Sequence, residues 1–234
     1  MKNFVLEFLG SFLYLFIGCL AEILIINYFP INNFIIELFL VSFIFAVSFS
    51  GCYILLGKRT SIDINPIFTF VLWLRNQISL KKLFTSIAAQ FLGALATGGI
   101  LFLLFQENVS TLALGYGELS AFNISLDGVI LIELLFSFIF AFCFLYFHDK
   151  KIPPKFSGIF LGGIFFLLLF FSIPYTGGCV NPSRSLVVNL FVNSNSLRQI
   201  WIYVLSSLAG AVLATIIYHI FYQIKNKVLS QHFL

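Results

Sequence analysis

Two short motifs, Asn65-Pro66-Ile67 and Asn181-Pro182-Ser183-Arg184, hold the polar groups best suited to chemistry in this apolar chain. Asparagine is a favoured helix N-cap, and proline suits the first helical position because it has no N–H to lose there. Each motif therefore predicts a helix start. The apolar continuations, 67–73 and 183–191, are shorter than the roughly 20 residues that span a bilayer. We predict two half-length helices, one in each half of the chain.

Two helix starts directed at one point would create a particular electrostatic environment. Each helix N-terminus contributes a partial charge of about +0.5. The two asparagine side chains add donors, and carbonyls of the incoming loops (61–64 and 176–180) add acceptors. A water molecule can exchange its own hydrogen bonds for these groups, whereas a cation meets positive potential. The motifs therefore predict passage of small neutral molecules and rejection of ions.

Arg184 is the second group with a possible functional role. A charge at membrane depth is costly and is a functional candidate for that reason. Because Arg184 follows Asn181 by three residues, on the first turn of a half-helix, we expect it to face the path. The alternative is an arginine whose charged end reaches the outer interface.

The composition identifies the class of protein. Hydrophobic residues make up 60% of the 234 residues and charged residues only 9%, against about 25% charged residues in soluble domains. The chain is therefore predicted to be an all-α membrane protein. The basic residues are scattered over membrane-flanking loops, so nucleic acid is not an expected partner. The sequence contains no nucleophile–base arrangement, cysteine–histidine metal pattern or phosphate loop, so we predict no enzyme activity, metal site or cofactor.

Six apolar stretches are long enough to span the membrane, and small residues within them mark expected close helix contacts, among them Gly93, the pair Gly162-Gly163, and Gly210. The spans are 4–26, 34–56, 83–105, 128–147, 156–173 and 200–222. Each half has three spans and one Asn-Pro motif. Because three is odd, the halves (about 1–115 and 125–234) have opposite topology within one domain, residues 1–234.

The distribution of basic residues predicts the orientation. Eleven of the thirteen lie at the termini or in the loops after spans two and four, and basic loops favour the cytoplasmic side. Both termini are thus predicted to be cytoplasmic, in the plasma membrane or, alternatively, an internal membrane. Asn108 and Asn123 match the glycosylation pattern in the outer loop, and the sequence leaves open whether either is modified.

Several features together resemble the aquaporin, or major intrinsic protein, family over nearly the whole chain. Beyond the two motifs and Arg184, they are Glu7 and Glu133 in spans one and four, Gln90–Ala94, and Ser172–Gly177. The resemblance implies six transmembrane helices plus two re-entrant half-helices, and a homotetramer of independently conducting pores in lipid. It also implies that both glutamates are structural and accept hydrogen bonds from loop backbone.

The resemblance also implies an outer constriction, or selectivity filter, formed by Phe45, Leu169, Gly178 and Arg184. Leu169 stands where water-selective members have histidine, and Gly178 is small, so both predict a wider and less polar opening. Phe45 replaces the tryptophan common in glycerol-conducting members and predicts the opposite. The filter residues therefore leave the choice of solute open.

Other positions depart from the family pattern. Ile67 and Ser183 replace expected alanines, and Ile67 either narrows the midplane or packs away from the path. Asp63 stands where the family usually has histidine. A local ion pair with Lys58 or Arg59 is the favoured role for it, ahead of attracting cations or titrating as a gate. Cys179, two residues before Asn181, is a second candidate residue at a pore mouth.

The leading hypothesis is a passive, ion-excluding water channel that also admits small neutral solutes. Within the same class, the alternative is an aquaglyceroporin that passes chiefly glycerol or similar solutes. A secondary transporter would instead show saturable, ion-coupled flux that depends on Asp63, Glu7 or Glu133. A non-conducting relative would be plugged by Ile67 and nearby phenylalanines.

Overall fold

The computed structural model describes residues 2–29, 31–57, 62–192 and 194–231. Within these ranges the chain forms eight α-helices and two 3₁₀ segments, Gln106–Leu112 and Gly117–Leu119. The α-helices are α1 (Lys2–Asn27), α2 (Phe34–Gly57), α3 (Pro66–Leu74), α4 (Leu80–Phe105), α5 (Leu126–Asp149), α6 (Pro154–Thr176), α7 (Pro182–Val192) and α8 (Ser194–Gln231).

The six long helices, α1, α2, α4, α5, α6 and α8, are each apolar and long enough to cross a membrane. The prediction of six spans and two half-length helices is confirmed. The helices extend beyond the predicted spans, because hydropathy marks the apolar part of a helix rather than its ends. For example, α6 continues through Pro174 and ends at Gly177, whose φ of 77° is left-handed.

Two helix pairs approach closely through glycine. A Cβ atom on Gly93 of α4 would lie 2.5 Å from the carbonyl oxygen of Phe8 in α1, and one on Gly210 of α8 would lie 2.3 Å from that of Leu134 in α5. Only glycine permits this backbone approach, so the expected contacts are confirmed. At the expected pair Gly162-Gly163, Gly162 makes the close approach, since a Cβ there would lie 3.1 Å from the carbonyl oxygen of Ala46 in α2, whereas no atom of the described residues lies within 4 Å of the Cβ position of Gly163.

The C-terminal end of α3 is tied to two long helices. Arg75, the residue that caps α3, donates from Nη1 and Nη2 to the two carboxylate oxygens of Asp149 at 2.7 and 2.9 Å. Its guanidinium also lies over the ring of Tyr218 in α8, 5.3 Å from the centroid. Bidentate pairs of this kind fix geometry, so the half-helix is held in place at the end opposite its Asn-Pro start.

Candidate channel site

Both Asn-Pro motifs form helix starts. Asn65 has an extended backbone (φ −147°, ψ 123°), and its Oδ1 accepts from the backbone N–H of Ile67 at 3.0 Å. The Oδ1 of Asn181 accepts from the backbone N–H of Ser183 at 2.9 Å and from its hydroxyl at 2.7 Å. Each asparagine therefore uses its oxygen to cap its own helix, which leaves the side-chain NH₂ directed outward.

The two starts face each other through reciprocal hydrogen bonds. Nδ2 of Asn65 donates to the carbonyl of Val180 at 3.2 Å, and Nδ2 of Asn181 donates to the carbonyl of Ile64 at 3.4 Å. Ile64 and Val180 have φ values of 48° and 46°, which are uncommon for β-branched residues. These backbone turns aim each carbonyl at the opposite asparagine and place the positive ends of α3 and α7 together.

A fully buried carboxylate supports the loop before α3. Glu7 of α1 accepts from the backbone N–H groups of Asp63 and Ile64, both at 2.9 Å, and from Nε2 of Gln90 at 2.9 Å. Three donors satisfy this carboxylate, which compensates for its burial. Glu7 thereby holds the two residues that precede Asn65.

A second buried carboxylate does the same for the loop before α7. Glu133 of α5 accepts from the backbone N–H groups of Cys179 and Val180, both at 3.1 Å, and from the hydroxyl of Thr176 at 2.7 Å. As with Glu7, the backbone donors are the two residues directly before the asparagine. The thiol of Cys179 is fully buried and lies 3.1 Å from the carbonyl oxygen of Asn181.

The four residues predicted to form the filter lie close together. Arg184 is fully buried, so it does not reach out to an interface. Its Nη1 donates to the carbonyl oxygens of Gly177, at 2.7 Å, and Gly178, and its guanidinium carbon lies 4.7 Å from the ring centroid of Phe45. A Cβ on Gly178 would lie 3.1 Å from Cδ2 of Leu169.

Gly178 does not open the space that its lack of a side chain suggests. A Cβ there would meet Cγ1 of Ile173 at 2.7 Å and Oγ of Ser172 at 3.0 Å, so neighbouring atoms already fill the position. Its φ of 70° is also left-handed, which gives glycine a conformational reason to be there. The glycine serves the backbone of the loop rather than the width of the opening.

Two residues of α1 that the sequence reasoning missed also belong to the site. Oε2 of Glu22 lies 3.5 Å from Nη2 of Arg184, and the hydroxyl of Tyr14 accepts a hydrogen bond from Nδ2 of Asn181. Tyr14, Gly18 and Glu22 are spaced by four residues and therefore lie in a line along the buried face of α1. Glu7 lies on the same face. A second acid on that face was the available signal.

Five phenylalanine rings pack together around the half-helix α3. This aromatic cluster consists of Phe49 of α2, Phe68 of α3, Phe140 and Phe144 of α5, and Phe165 of α6, and each ring is at most 1% exposed. Ring centroids are 4.0 Å apart for Phe68–Phe144, 4.7 Å for Phe68–Phe140 and 5.2 Å for Phe49–Phe165. Rings from four helices are thus in mutual contact.

The aromatic cluster borders a pocket. Phe49 contacts Tyr14 (5.7 Å between centroids) on one side and Tyr53 (6.0 Å) on the other. Tyr53 and Phe144 line a pocket of about 220 Å³ that also contains Asp63 and His148. Asp63 lies two residues before Asn65, so this pocket borders both the aromatic cluster and the loop before α3.

Three residues of the two Asn-Pro segments that depart from the family pattern, Asp63, Ile67 and Ser183, are buried. Asp63 accepts from the hydroxyl of Thr69 at 2.8 Å. Its expected partners, Lys58 and Arg59, lie outside the described residues. Ile67 is fully buried and packs in the apolar core, and the hydroxyl of Ser183 bonds the side chain of its own N-cap, Asn181.

Two half-helices that meet start to start inside a six-span bundle, with a buried arginine on the first turn of one of them, define a membrane channel of the aquaporin type. The family model described as Major intrinsic protein matches residues 1–218, and the chain belongs to that family. Its members are channels, so the protein is an aquaporin-type channel and an integral multi-pass membrane protein, not an enzyme.

Individual relatives agree with this assignment. Aquaporin Z of Photorhabdus laumondii is 26% identical over 233 residues, which cover 97% of this chain and 100% of the relative. Aquaporin Z of Brucella melitensis is 30% identical over 217 residues, covering 91% and 94%. The X-ray structure of the aquaglyceroporin from Plasmodium falciparum superposes with a TM-score of 0.76 at 20% identity, covering 93% of this chain and 94% of that one, which shows the shared fold.

Proposed function

We propose that the protein conducts water passively and rejects ions. The observation that carries this proposal is the reciprocal pairing of Asn65 and Asn181 with the carbonyls of Val180 and Ile64. It sets the positive ends of two half-helices against each other, so a cation meets unfavourable potential from both sides. Asn65 keeps one amide hydrogen for a passing water molecule, since only its bond to Val180 uses the other.

Water is the solute that the filter geometry favours over glycerol. Phe45, Leu169 and Arg184 are each fully buried, which supports a tight constriction. The space beside Gly178 is occupied, so the expected widening at this position loses its basis. Leu169 remains the one feature that favours larger and less polar solutes. Glycerol is the alternative solute. The Plasmodium falciparum protein of similar fold is named an aquaglyceroporin.

The contacts of Glu7 and Glu133 support a structural role for both acids. Each carboxylate already accepts two backbone N–H groups and one side-chain donor. A proton carrier needs free capacity to bind and release protons, and these bonds oppose it. This supports a channel rather than an ion-coupled transporter.

Matching contacts in the two halves of the chain support an inverted repeat of about 1–115 and 125–234. Gly93 approaches the carbonyl one residue after Glu7, and Gly210 approaches the carbonyl one residue after Glu133. We further propose a homotetramer, with both termini in the cytoplasm and with Asn108 and Asn123 on the outer side.

The aromatic cluster favours a second candidate, a channel that is closed or non-conducting at this level. Its rings come from four helices and contact one another, and each phenylalanine is at most 1% exposed. If the rings lie across the path, conduction requires them to rotate apart. Under the second candidate they do not, and the protein passes neither water nor glycerol.

Stopped-flow measurements on proteoliposomes test the proposal. We expect fast shrinkage under a sucrose gradient and no reswelling under a glycerol gradient. Arg184→Ala is expected to raise glycerol entry by about tenfold, which corresponds to a barrier lower by about 1.4 kcal/mol. Flux of neither solute through correctly folded protein would favour the non-conducting candidate, and saturable, ion-coupled flux would favour a transporter.

A further inference from the structure

Arg184 places a full positive charge in the constriction, and Glu22 is the acid that faces it. Oε2 of Glu22 lies 3.5 Å from Nη2 of Arg184, with side-chain exposures of 9% and 0%. Opposite charges at such a distance interact strongly where water is scarce. The pair therefore makes this part of the constriction electrically neutral rather than positive.

The pair also has unused hydrogen-bonding capacity. Nη1 of Arg184 is taken by two loop carbonyls, but Nε and Nη2 of Arg184 and Oε2 of Glu22 have no hydrogen-bond partner among the described residues. Buried polar atoms are normally satisfied. A guanidinium can only donate and an ionised carboxylate can only accept. Together they offer donors and an acceptor at one place.

The local fold explains why Glu22 reaches the filter. Gly18 lies one turn before Glu22, and a Cβ there would be 2.1 Å from Cδ1 of Phe45. The missing side chain thus lets Phe45 pack against α1 while its ring faces the guanidinium of Arg184. Glu22, one turn further along the same face, then stands beside Arg184 rather than in lipid.

We propose that Glu22 is a specificity-determining residue of this channel. It neutralises Arg184 and adds an acceptor to the constriction. The site then takes small neutral solutes that both donate and accept hydrogen bonds, such as water and hydroxyl compounds, and holds neither anions nor cations. This inference rests on the proposed function, because it assigns a role within the same permeation path.

A charge cycle tests the proposal. Four proteins are reconstituted in proteoliposomes: wild type, Glu22→Gln, Arg184→Gln and the double variant. Water flux is measured with sodium thiocyanate or guanidinium chloride at equal concentration on both sides of the membrane. Sodium chloride at the same concentration is the reference salt. We expect thiocyanate to block Glu22→Gln at concentrations about tenfold lower than wild type, because Arg184 is then an unpaired positive charge. Guanidinium should block Arg184→Gln in the same way, and the double variant should resist both ions.

The matched control is Glu107→Gln, which makes the same substitution at an exposed acid in the 3₁₀ segment after α4. If Glu22→Gln is no more sensitive to thiocyanate than Glu107→Gln, the proposal is overturned. Glu22→Ala provides a second neutral variant if Glu22→Gln folds poorly.

Thermal unfolding in detergent provides a readout that does not need flux. Thiocyanate should raise the Tm of Glu22→Gln relative to Glu107→Gln at the same salt concentration, because a bound anion stabilises the folded state. Absent wild-type water flux would contradict the proposed function, while this shift still decides the role of Glu22. Equal changes in Tm on adding thiocyanate to the two variants would overturn that role.

Discussion

Glu133→Ala is expected to destabilise the folded channel by about 2–6 kcal/mol and to abolish water flux. The substitution removes the acceptor for the backbone N–H groups of Cys179 and Val180 and for the hydroxyl of Thr176. The hydroxyl of Thr176 can still donate to the carbonyl of Ser172 at 3.2 Å, so two backbone donors are left without a partner, at about 1–3 kcal/mol each. The loop before Asn181 would then lose its fixed geometry, and the start of α7 would no longer face that of α3.

Thermal unfolding in detergent and stopped-flow water flux measure this effect. Asp127→Ala is the matched control, because Asp127 is an exposed acid on the first turn of the same helix. Its loss should cost no more than about 1 kcal/mol. The stability of Glu133→Gln should fall between those of the two alanine variants. Its amide retains one acceptor oxygen but directs a donor towards the loop N–H groups. A Glu133→Ala protein as stable as Asp127→Ala would contradict the assigned role.

Phe68→Val is expected to raise water permeability by about tenfold, a barrier change of about 1.4 kcal/mol. Phe68 projects from the half-helix α3, and its ring stacks on Phe144 at 4.0 Å and contacts Phe140 at 4.7 Å. Removal of the ring takes away an aromatic contact between α3 and α5 and leaves space for water. Valine retains part of the apolar volume, which limits the cost of the cavity.

The measurement is water flux per folded protein in matched proteoliposomes. Phe84→Val is the control, because Phe84 is 65% exposed on α4 and lies outside the aromatic cluster. It should leave the flux unchanged. If Phe68→Val also leaves it unchanged, the rings lie beside the path rather than across it. A rise in glycerol entry together with water would indicate that the aromatic cluster, and not the filter, limits solute size.

The architecture could be predicted from the sequence because its signals are local. An apolar run of sufficient length predicts a span wherever it occurs, and Asn65-Pro66 and Asn181-Pro182 predict helix starts through capping and the fixed φ of proline. The equal placement of Glu7 and Glu133 predicted their shared environment. These features depend on residue type and spacing, and the described helices agree with them.

The composition of the site was decided by the tertiary structure, because it depends on which helix faces meet. Nothing local distinguishes Glu22 from an acid that faces a loop, and only the tertiary structure brings it within 3.5 Å of Arg184. Residue type also misled at Gly178, where Ile173 fills the space that a small residue suggests. The many phenylalanines left open whether rings face lipid or one another. Side-chain contacts between distant segments are set by helix rotation and depth, and a sequence pattern constrains these only weakly.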